Sequence, residues 1–347
     1  MSLSAFKSIA VLCVFALLCA PVSAQDTIYK ANPKFSAAMA DGQRLMQQRQ
    51  YVAAIAAYQK ANKLAAGRDS DALKRILGLQ LKTGAYPDAA ATASSLAVIA
   101  ANPGEKSAAE GARGQAFYLQ AIVKDQGDLY RSADEALKAA IADDPKNGSA
   151  HFIEGHVLAR LGQKTAAAEQ FRLCLQYVSP NDPSYVRAQR FAANPELSMA
   201  KMAPAFTVVA LDGTKFSLDR MDGRVVLIDF WATWCVPCNI ELPELQRMAK
   251  EFAGQPFVVL SISWDADEGA WKDFVAKNGM TWPQYRDSTR GLSRLFGVDA
   301  IPHYFIIDSD GVLTSEMLGE GSDVEGKLKE LIAKASAAQA AAHGAGE

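Results

Sequence analysis

The stretch VVLIDFWATWCVPC, residues 225–238, joins an apolar run of strand length to two cysteines, Cys235 and Cys238, three positions apart. Asp229 is the one charged residue in this stretch, and Pro237 stands between the cysteines. Cysteines at this spacing form half of a zinc site, a structural disulfide or a reactive dithiol. The compartment of the protein and the segments around the pair bear on that choice.

The first two dozen residues differ in character from the rest of the chain. Lys7 is the only charge before the apolar run 9–20, and small residues lead up to Ala24. This pattern predicts a signal peptide over residues 1–24, cleaved before Gln25, and therefore an exported, periplasmic protein. A lipoprotein anchor and an uncleaved membrane anchor are the alternatives. An exported space is oxidising, which favours redox chemistry or a structural bond at a cysteine pair.

Length and composition set limits on the architecture and on the partners. The chain has 347 residues, of which 50% are hydrophobic and 21% charged, as expected for a soluble protein of two or three domains. Its formal net charge of −2 gives no general attraction to polyanions. We therefore expect no nucleic-acid partner.

Residues 35–181 contain an internal repeat. Small and bulky residues recur in four copies, the last two spaced by 34 residues: Gly42, Ala54, Tyr58, Ala61; Gly78, Ala90, Ser94, Ala97; Ala121, Ala133, Leu137, Ala140; and Gly155, Ala167, Phe171, Cys174. The pattern resembles tetratricopeptide repeats and predicts about four helix–turn–helix units in an all-α solenoid. Such a solenoid offers a docking surface for partner proteins and no chemistry of its own. A plain helical bundle is the alternative.

After a linker over residues 182–202 the period changes. The runs FTVVAL, VVLIDFW, FVVLSIS and HYFIID read as buried strands, and helices are expected over 237–252, 268–277, 289–296 and 324–335. The alternation predicts an α/β domain over residues 203–335 with a mostly parallel sheet. The segments LDGTKF and DSDGVL predict two turns, and residues 336–347 a disordered tail. The fold class is therefore multidomain, an all-α repeat solenoid followed by an α/β domain.

The second half resembles the thioredoxin superfamily over residues 203–335, through the strand, the Asp-Phe-Trp and the Trp-Cys-x-x-Cys that opens a helix. Within it, the APAF segment, the LDG hairpin, the Glu-Leu-Pro after the second cysteine and an insertion helix from Glu268 resemble the exported TlpA/ResA-like oxidoreductases. This resemblance implies a thioredoxin-like fold, thiol–disulfide exchange and no cofactor.

The two cysteines have distinct expected roles. Cys235 precedes a helix, where unpaired N–H groups and the positive end of the helix dipole favour a thiolate, so we expect it to be the nucleophile. Cys238 lies one turn further on and can resolve a mixed disulfide. Pro237 fits the first helical turn, where its missing N–H costs little.

Two carboxyl groups are candidates for proton transfer. The resemblance makes Asp229 the buried acid near the resolving cysteine, where burial raises a carboxyl pKa and allows it to act as a base. A hydrogen-bonded residue at the end of a strand is the alternative. Glu241 occupies the position of an acidic active-site residue in this exported family, and a solvated helix residue is the alternative.

The segment GVDAIPHYFIID resembles the part of the superfamily that carries a cis-proline. Ile301-Pro302 would be that bond, with the backbone of Ile301 facing an extended substrate segment. His303 is either a neighbour of the thiolate or an outward-facing strand residue. Trp234 is expected to be an exposed contact for client proteins.

Four other interpretations compete with a reactive dithiol. Structural zinc needs four ligands, of which the pair supplies two. A structural disulfide closing so short a loop removes little entropy from the unfolded chain. A thiol peroxidase would need a threonine at Ala232 and a proline at Ile228. A repeat-based binding scaffold with an inactive second domain conflicts with the intact cysteine pair.

We therefore expect an exported thiol–disulfide oxidoreductase. The resemblance implies that it reduces disulfides in client proteins, as in cytochrome c maturation or oxidase assembly. It also implies a membrane thiol–disulfide carrier as electron donor, because exported space holds no reducing buffer. The repeats would dock client or partner proteins.

Overall fold

The computed structural model describes residues 29–221, 223–319 and 324–344. The predicted signal peptide lies outside these residues. The chain divides into two compact units, Met1–Val178 and Ser179–Glu347. No helix within the described ranges combines the length and apolar character needed to cross a membrane.

The described part of the first unit is helical. Its helices follow one another in pairs joined by short turns: α1 (Pro33–Gln47) with α2 (Tyr51–Leu64), α3 (Ser70–Thr83) with α4 (Tyr86–Ile99), α5 (Pro103–Lys124) with α6 (Gly127–Asp143), and α7 (Gly148–Arg160) with α8 (Lys164–Tyr177). Asparagine or aspartate side chains cap α1, α3, α5 and α7 by accepting a backbone N–H. These four pairs agree with the predicted helix–turn–helix units; their stacking as a tetratricopeptide solenoid stays a prediction.

The repeat positions explain how the pairs close. The ring of Tyr58 is fully buried and lies so close to Gly42 that a Cβ there would come within 2.6 Å of it. Gly155 and Phe171 repeat this arrangement with the same 2.6 Å approach. A glycine at this position therefore lets an aromatic ring fill the groove between two helices.

The second helix pair, α3 with α4, departs from the packing that the repeat pattern predicted. Gly78 is exposed, and no heavy atom lies within 4 Å of a Cβ built on it. In α4 the predicted Ala90 is buried, but Ala93 and Leu96 are buried in place of the predicted Ser94 and Ala97, which lie one position further on. Ser94 stands where the first and last pairs have an aromatic ring, so no ring packs against Gly78 between α3 and α4.

The second unit holds a two-stranded hairpin, a five-stranded sheet and flanking helices. The elements are α9 (Pro183–Ala193), β1 (Thr207–Val209), β2 (Lys215–Ser217), β3 (Val225–Trp231), α10 (Val236–Glu251), β4 (Phe257–Ser263), α11 (Glu268–Lys277), β5 (Gln284–Arg286), α12 (Gly291–Phe296), β6 (His303–Ile307), β7 (Leu313–Leu318) and α13 (Val324–Gly344). The sheet order is β5-β4-β3-β6-β7. All seven residues of β3 are buried, which places this strand at the centre.

The sheet is mixed, whereas the sequence predicted a mostly parallel one. β3 and β5 run parallel to β4, but β6 runs antiparallel to both β3 and β7. The predicted DSDGVL turn accounts for the antiparallel β6–β7 pair, because it joins these two strands as a hairpin. Asp308 accepts the backbone N–H groups of Asp310 and Val312, and Gly311 has a φ of 87°.

The segment 182–202, predicted as a linker, is folded and belongs to the second unit. Arg187 of α9 donates to the Asp219 carboxylate at 3.1 Å and to the Ala203 carbonyl at 2.6 Å. Arg190 of the same helix donates to the carbonyls of Asp219 and Asp310. Two arginines one helical turn apart thus attach α9 to the α/β part of its own unit.

The predicted disordered tail is also partly wrong. Helix α13 continues to Gly344, and residues 345–347 lie outside the described ones. Val324, Leu328, Ile332 and Ala335 are its buried contacts with the sheet. The alanine-rich stretch that follows has high helix propensity, and it extends the helix beyond its last buried turn.

Exchange of Gly42 for alanine tests the close approach in the first helix pair. The added Cβ would collide with the Tyr58 ring, so we expect a loss of about 1–3 kcal/mol in the free energy of unfolding. Gly78→Ala is the matched control, since it adds a methyl group in open space and should stabilise α3 by about 0.5–1 kcal/mol. Urea unfolding followed by circular dichroism measures both. Equal effects of the two substitutions would contradict the packing described.

Candidate active site

The dithiol lies where β3 ends and α10 begins. Cys235 is the N-cap residue of α10, with extended backbone, and its Sγ accepts the backbone N–H of Cys238 at 3.2 Å. The two cysteines form a disulfide with their Cα atoms 5.3 Å apart, and each is 5% exposed. The N–H of Cys238 in the first turn therefore points at the sulfur of Cys235, the arrangement that stabilises a thiolate in the reduced protein.

The predicted cis bond is present at Ile301-Pro302. Ile301 packs against the apolar cluster that contains both cysteines, together with Trp231 and Trp271. The carbonyl of Pro302 accepts the N–H of Gly319, which ties this segment to the end of β7. The structure thus brings Ile301 and the dithiol together, as the sequence predicted.

Asp229 is buried in the middle of the sheet. It is 2% exposed, its Oδ2 accepts the hydroxyl of Ser261 at 2.9 Å, and its Oδ1 has no hydrogen-bond partner among the described residues. Burial raises the pKa of Asp229 to about 7, the hydroxyl of Ser261 partly opposes this, and the charge of Glu241 adds to it. A carboxyl group with this pKa exchanges protons at neutral pH.

A tyrosine that the sequence analysis did not identify lies beside Asp229 in the sheet and binds Glu241. Tyr304 is the register partner of Asp229 across the antiparallel β3–β6 pair, so both side chains lie on one face of the sheet. The Tyr304 hydroxyl donates to Glu241 Oε2 at 2.9 Å. Burial raises the pKa of Tyr304, and the charges of Asp229 and Glu241 raise it further, so the phenol stays protonated.

A row of polar side chains crosses the sheet at this level. The register places Gln284 beside Ser261, Ser261 beside Asp229, and Asp229 beside Tyr304. The indole N–H of Trp282 donates to the Ser261 hydroxyl at 2.8 Å. Periodicity marks each of these strands separately, but only the register between strands shows that their polar residues meet.

His303 lies apart from these carboxyl groups. It is the register partner of Phe230, and successive side chains of a strand alternate between faces, so it faces away from Asp229 and Tyr304. The ring is buried, stacks on Phe305 at 4.7 Å, and places Nε2 3.3 Å from Glu316 Oε1. The outward-facing alternative is wrong, because His303 is 5% exposed, while a place beside the thiolate stays a prediction.

An exposed apolar surface surrounds the dithiol. Trp234 is 60% exposed, as predicted, and two residues missed by the sequence analysis, Val236 and Ile240, are 68% and 58% exposed. Val236 and Ile240 are four positions apart and lie on one face of α10. This helical spacing next to the cysteines was a readable signal for a contact surface.

The loop between β3 and α10 is held by an aspartate that no local motif announced. Asp265, 3% exposed, accepts the backbone N–H of Thr233 at 3.0 Å and its hydroxyl at 2.6 Å. The side-chain amide of Asn239 donates to the Thr233 carbonyl at 3.0 Å. Asp265 is 30 residues downstream of Cys235, so only the tertiary fold connects them.

Other chemistry-bearing residues lie elsewhere. Within the described residues, no group of three or more His, Cys, Asp or Glu side chains is arranged to hold a metal ion. Cys174 is fully buried in α8, in the other compact unit. The described arrangement is therefore one of thiol–disulfide exchange: a cysteine pair on a helix N-terminus, with a buried acid in the adjoining strand.

Comparison with known proteins agrees with this chemistry. Residues 199–316 match the AhpC/TSA family. The thiol-disulfide oxidoreductase ResA of Bacillus thuringiensis (strain Al Hakam) is 29% identical over 164 residues, which cover 46% of this chain and 95% of that protein. The thioredoxin-like protein YneN of Bacillus subtilis (strain 168) is 32% identical over 122 residues, or 34% of this chain and 71% of that protein.

A crystal structure of a thiol:disulfide interchange protein of the thioredoxin family from Chlorobium tepidum TLS is 27% identical and covers 38% of this chain and 97% of its own, with a TM-score of 0.36. The family match at residues 199–316 lies in the second unit, where the disulfide-bonded pair begins α10. Through that unit, the chain belongs to the thioredoxin-like family of thiol–disulfide oxidoreductases.

Proposed function

We propose that the protein is an exported reductase that transfers two electrons from the Cys235–Cys238 dithiol to disulfides in client proteins. The observation that carries this proposal is the position of Cys235 at the N-cap of α10, with Asp229 buried in the strand that leads to it. A nucleophilic thiolate and a base of neutral pKa are the two groups that disulfide reduction requires.

The exchange takes place in two steps. The thiolate of Cys235 attacks one sulfur of the client disulfide; a mixed disulfide forms, the client S–S bond breaks, and the released client thiolate takes up a proton. Cys238 then attacks Cys235 Sγ, which forms the internal disulfide and releases the second client thiol. The disulfide at the start of α10 is the product of this sequence.

Asp229 serves the second step. Cys238 must lose its proton to attack, and a carboxylate with a pKa of about 7 can accept it and pass it to the departing client sulfur. Glu241 lies one helical turn beyond Cys238, and its charge acts on Asp229. The acid pair therefore lies on the side of α10 that carries the resolving cysteine.

The surface around the dithiol supports a protein substrate. Trp234, Val236 and Ile240 expose apolar area beside two almost covered sulfurs, which suits an extended client segment better than a small soluble thiol. Ile301 and Pro302 would hold that segment by backbone pairing.

The remaining parts of the proposal concern the partners. Export implies a membrane thiol–disulfide carrier that returns the disulfide to the dithiol form, since exported space holds no reducing buffer. The first unit would dock clients or that carrier. Its exposed Val52, Val98 and Val123 are apolar side chains available for such contacts.

The reduction potential of the cysteine pair tests the direction of electron flow. We expect a value near or below about −270 mV, that of a reductant, when the mature protein is equilibrated with dithiothreitol or glutathione buffers. The Cys235→Ser, Cys238→Ser double variant is the control and should show no redox couple. A value near about −120 mV would instead make the protein an oxidase or isomerase of clients.

Trapping distinguishes the roles of the cysteines. Cys238→Ser should accumulate mixed disulfides with clients, because the resolving thiol is missing, whereas Cys235→Ser should accumulate none. Non-reducing gels with mass spectrometry of the adducts detect them. Equal adduct levels in the two variants would contradict the assignment of the nucleophile.

Asp229→Asn should slow resolution and yet stabilise the oxidised fold. At pH 7 to 7.5 we expect resolution of a mixed disulfide to be about tenfold slower or more, and its dependence on pH to lose the inflection near pH 7. Stopped-flow mixing with a disulfide peptide measures both.

Stability provides the internal check. The folded pKa of Asp229 is raised, so the wild type loses stability as pH rises from about 4 through 7, and the asparagine variant does not. The variant should therefore be more stable at pH 8 by about 2–4 kcal/mol and nearly unchanged at pH 4 in urea unfolding. Asp299→Asn, at an exposed site, is the control. If the Asp229→Asn variant resolves the mixed disulfide at the wild-type rate, Asp229 is not the base in the mechanism.

A further inference from the structure

The active-site loop, residues 232–235, is fixed at one residue from two sides. Asp265 binds both the backbone N–H and the hydroxyl of Thr233, using a different carboxylate oxygen for each. Asn239, from the first turns of α10, binds the carbonyl of the same residue. Hydrogen bonds therefore hold the N–H, the carbonyl and the side chain of Thr233, and they restrict rotation of the backbone at this residue.

The segment that supplies Asp265 is itself anchored. The hydroxyl of Ser263 donates to Asp265 Oδ2 at 2.7 Å and accepts the Asp265 N–H at 2.9 Å. The N–H of Trp264 donates to the Trp231 carbonyl at 2.8 Å, and the Trp264 indole donates to Ser293. The segment that follows β4 is thus fixed by hydrogen bonds where it lies beside the active-site loop.

We propose that Asp265 is a positioning residue of the dithiol, which holds Thr233 so that Cys235 stays at the N-cap of α10 and Trp234 stays at the surface. The proposal rests on the function proposed above, in which Cys235 is the nucleophile. In this proposal the hydrogen bonds between Asp265 and Thr233, here called the clamp, maintain the reactivity of the Cys235 thiolate.

The carboxylate of Asp265 is better suited to positioning Thr233 than to filling space in the core. Burying a charged group costs free energy unless its oxygens are hydrogen-bonded, and here three donors reach the two oxygens. Two bonds to one residue fix orientation as well as distance. Cys235 is two residues from Thr233, so a rotation of the loop would move its sulfur away from the Cys238 N–H.

Removal of the Thr233 hydroxyl tests the clamp without altering any charge. In the reduced full-length protein, we expect Thr233→Val to raise the pKa of Cys235 and to slow its alkylation by iodoacetamide at pH 6.5 about fivefold. Thr233→Ser, which keeps both bonds, should restore the wild-type rate within about twofold. Peptide mass spectrometry reads Cys235 separately, and the pH profile of the rate gives its pKa. Thr233→Ala carries the same test if the valine variant does not fold.

A double-mutant cycle assigns the effect to Asp265. In an Asp265→Ala background, Thr233→Val should slow alkylation no further, because the partner of the hydroxyl is already removed. Asp267→Ala is the matched control: this aspartate caps α11 two residues away and should leave the alkylation profile unchanged.

Three outcomes would overturn the proposal. If Thr233→Val lowers thermal stability but leaves the alkylation profile unchanged, the clamp is structural; additive effects in the cycle would show that the two residues act separately. If wild-type Cys235 titrates as an ordinary thiol near pH 8.5, the proposed nucleophile fails as well, which separates that failure from a failure of the clamp alone.

Discussion

The second unit depends on the junction at which a strand buried on both faces gives way to a helix N-terminus. β3 can occupy the centre of the sheet only because apolar clusters cover it on either side. The chain must then leave the core within four residues to begin α10. That abrupt exit places Cys235 at the N-cap of α10 and leaves the residue 5% exposed, so the packing of the core and the chemistry of the thiol have one origin.

The same burial makes it costly to ionise the carboxyl group of Asp229 in the sheet. Asp229 occupies a position that an apolar residue would fill at less cost; its carboxyl group accepts one hydroxyl, that of Ser261, and the nearby charge of Glu241 raises its pKa further. Residues that weaken a fold locally are typical of functional sites, where the environment is arranged to shift a pKa.

How far the sequence could predict this depended on whether a feature was local. The strand before the dithiol, the helix after it, the cis bond at Ile301-Pro302 and the exposure of Trp234 were all predicted from short stretches. The face on which His303 lies, the antiparallel β6 and the clamp at Asp265 were not, because they depend on strand register or on residues 30 positions apart. The folded α9 was missed because its arginines find partners only in the assembled unit.

The burial of Cys174 has a consequence for the fidelity of exchange. A mixed disulfide on Cys235 can be attacked by any thiol that reaches it in line, and each wrong attack would leave a scrambled product. The sulfur of Cys174 is sealed among helices, so within the described residues Cys238 is the one internal thiol that competes for the intermediate. In the proposed mechanism, therefore, no thiol of the described residues other than Cys238 competes with the thiols of the client for the covalent complex.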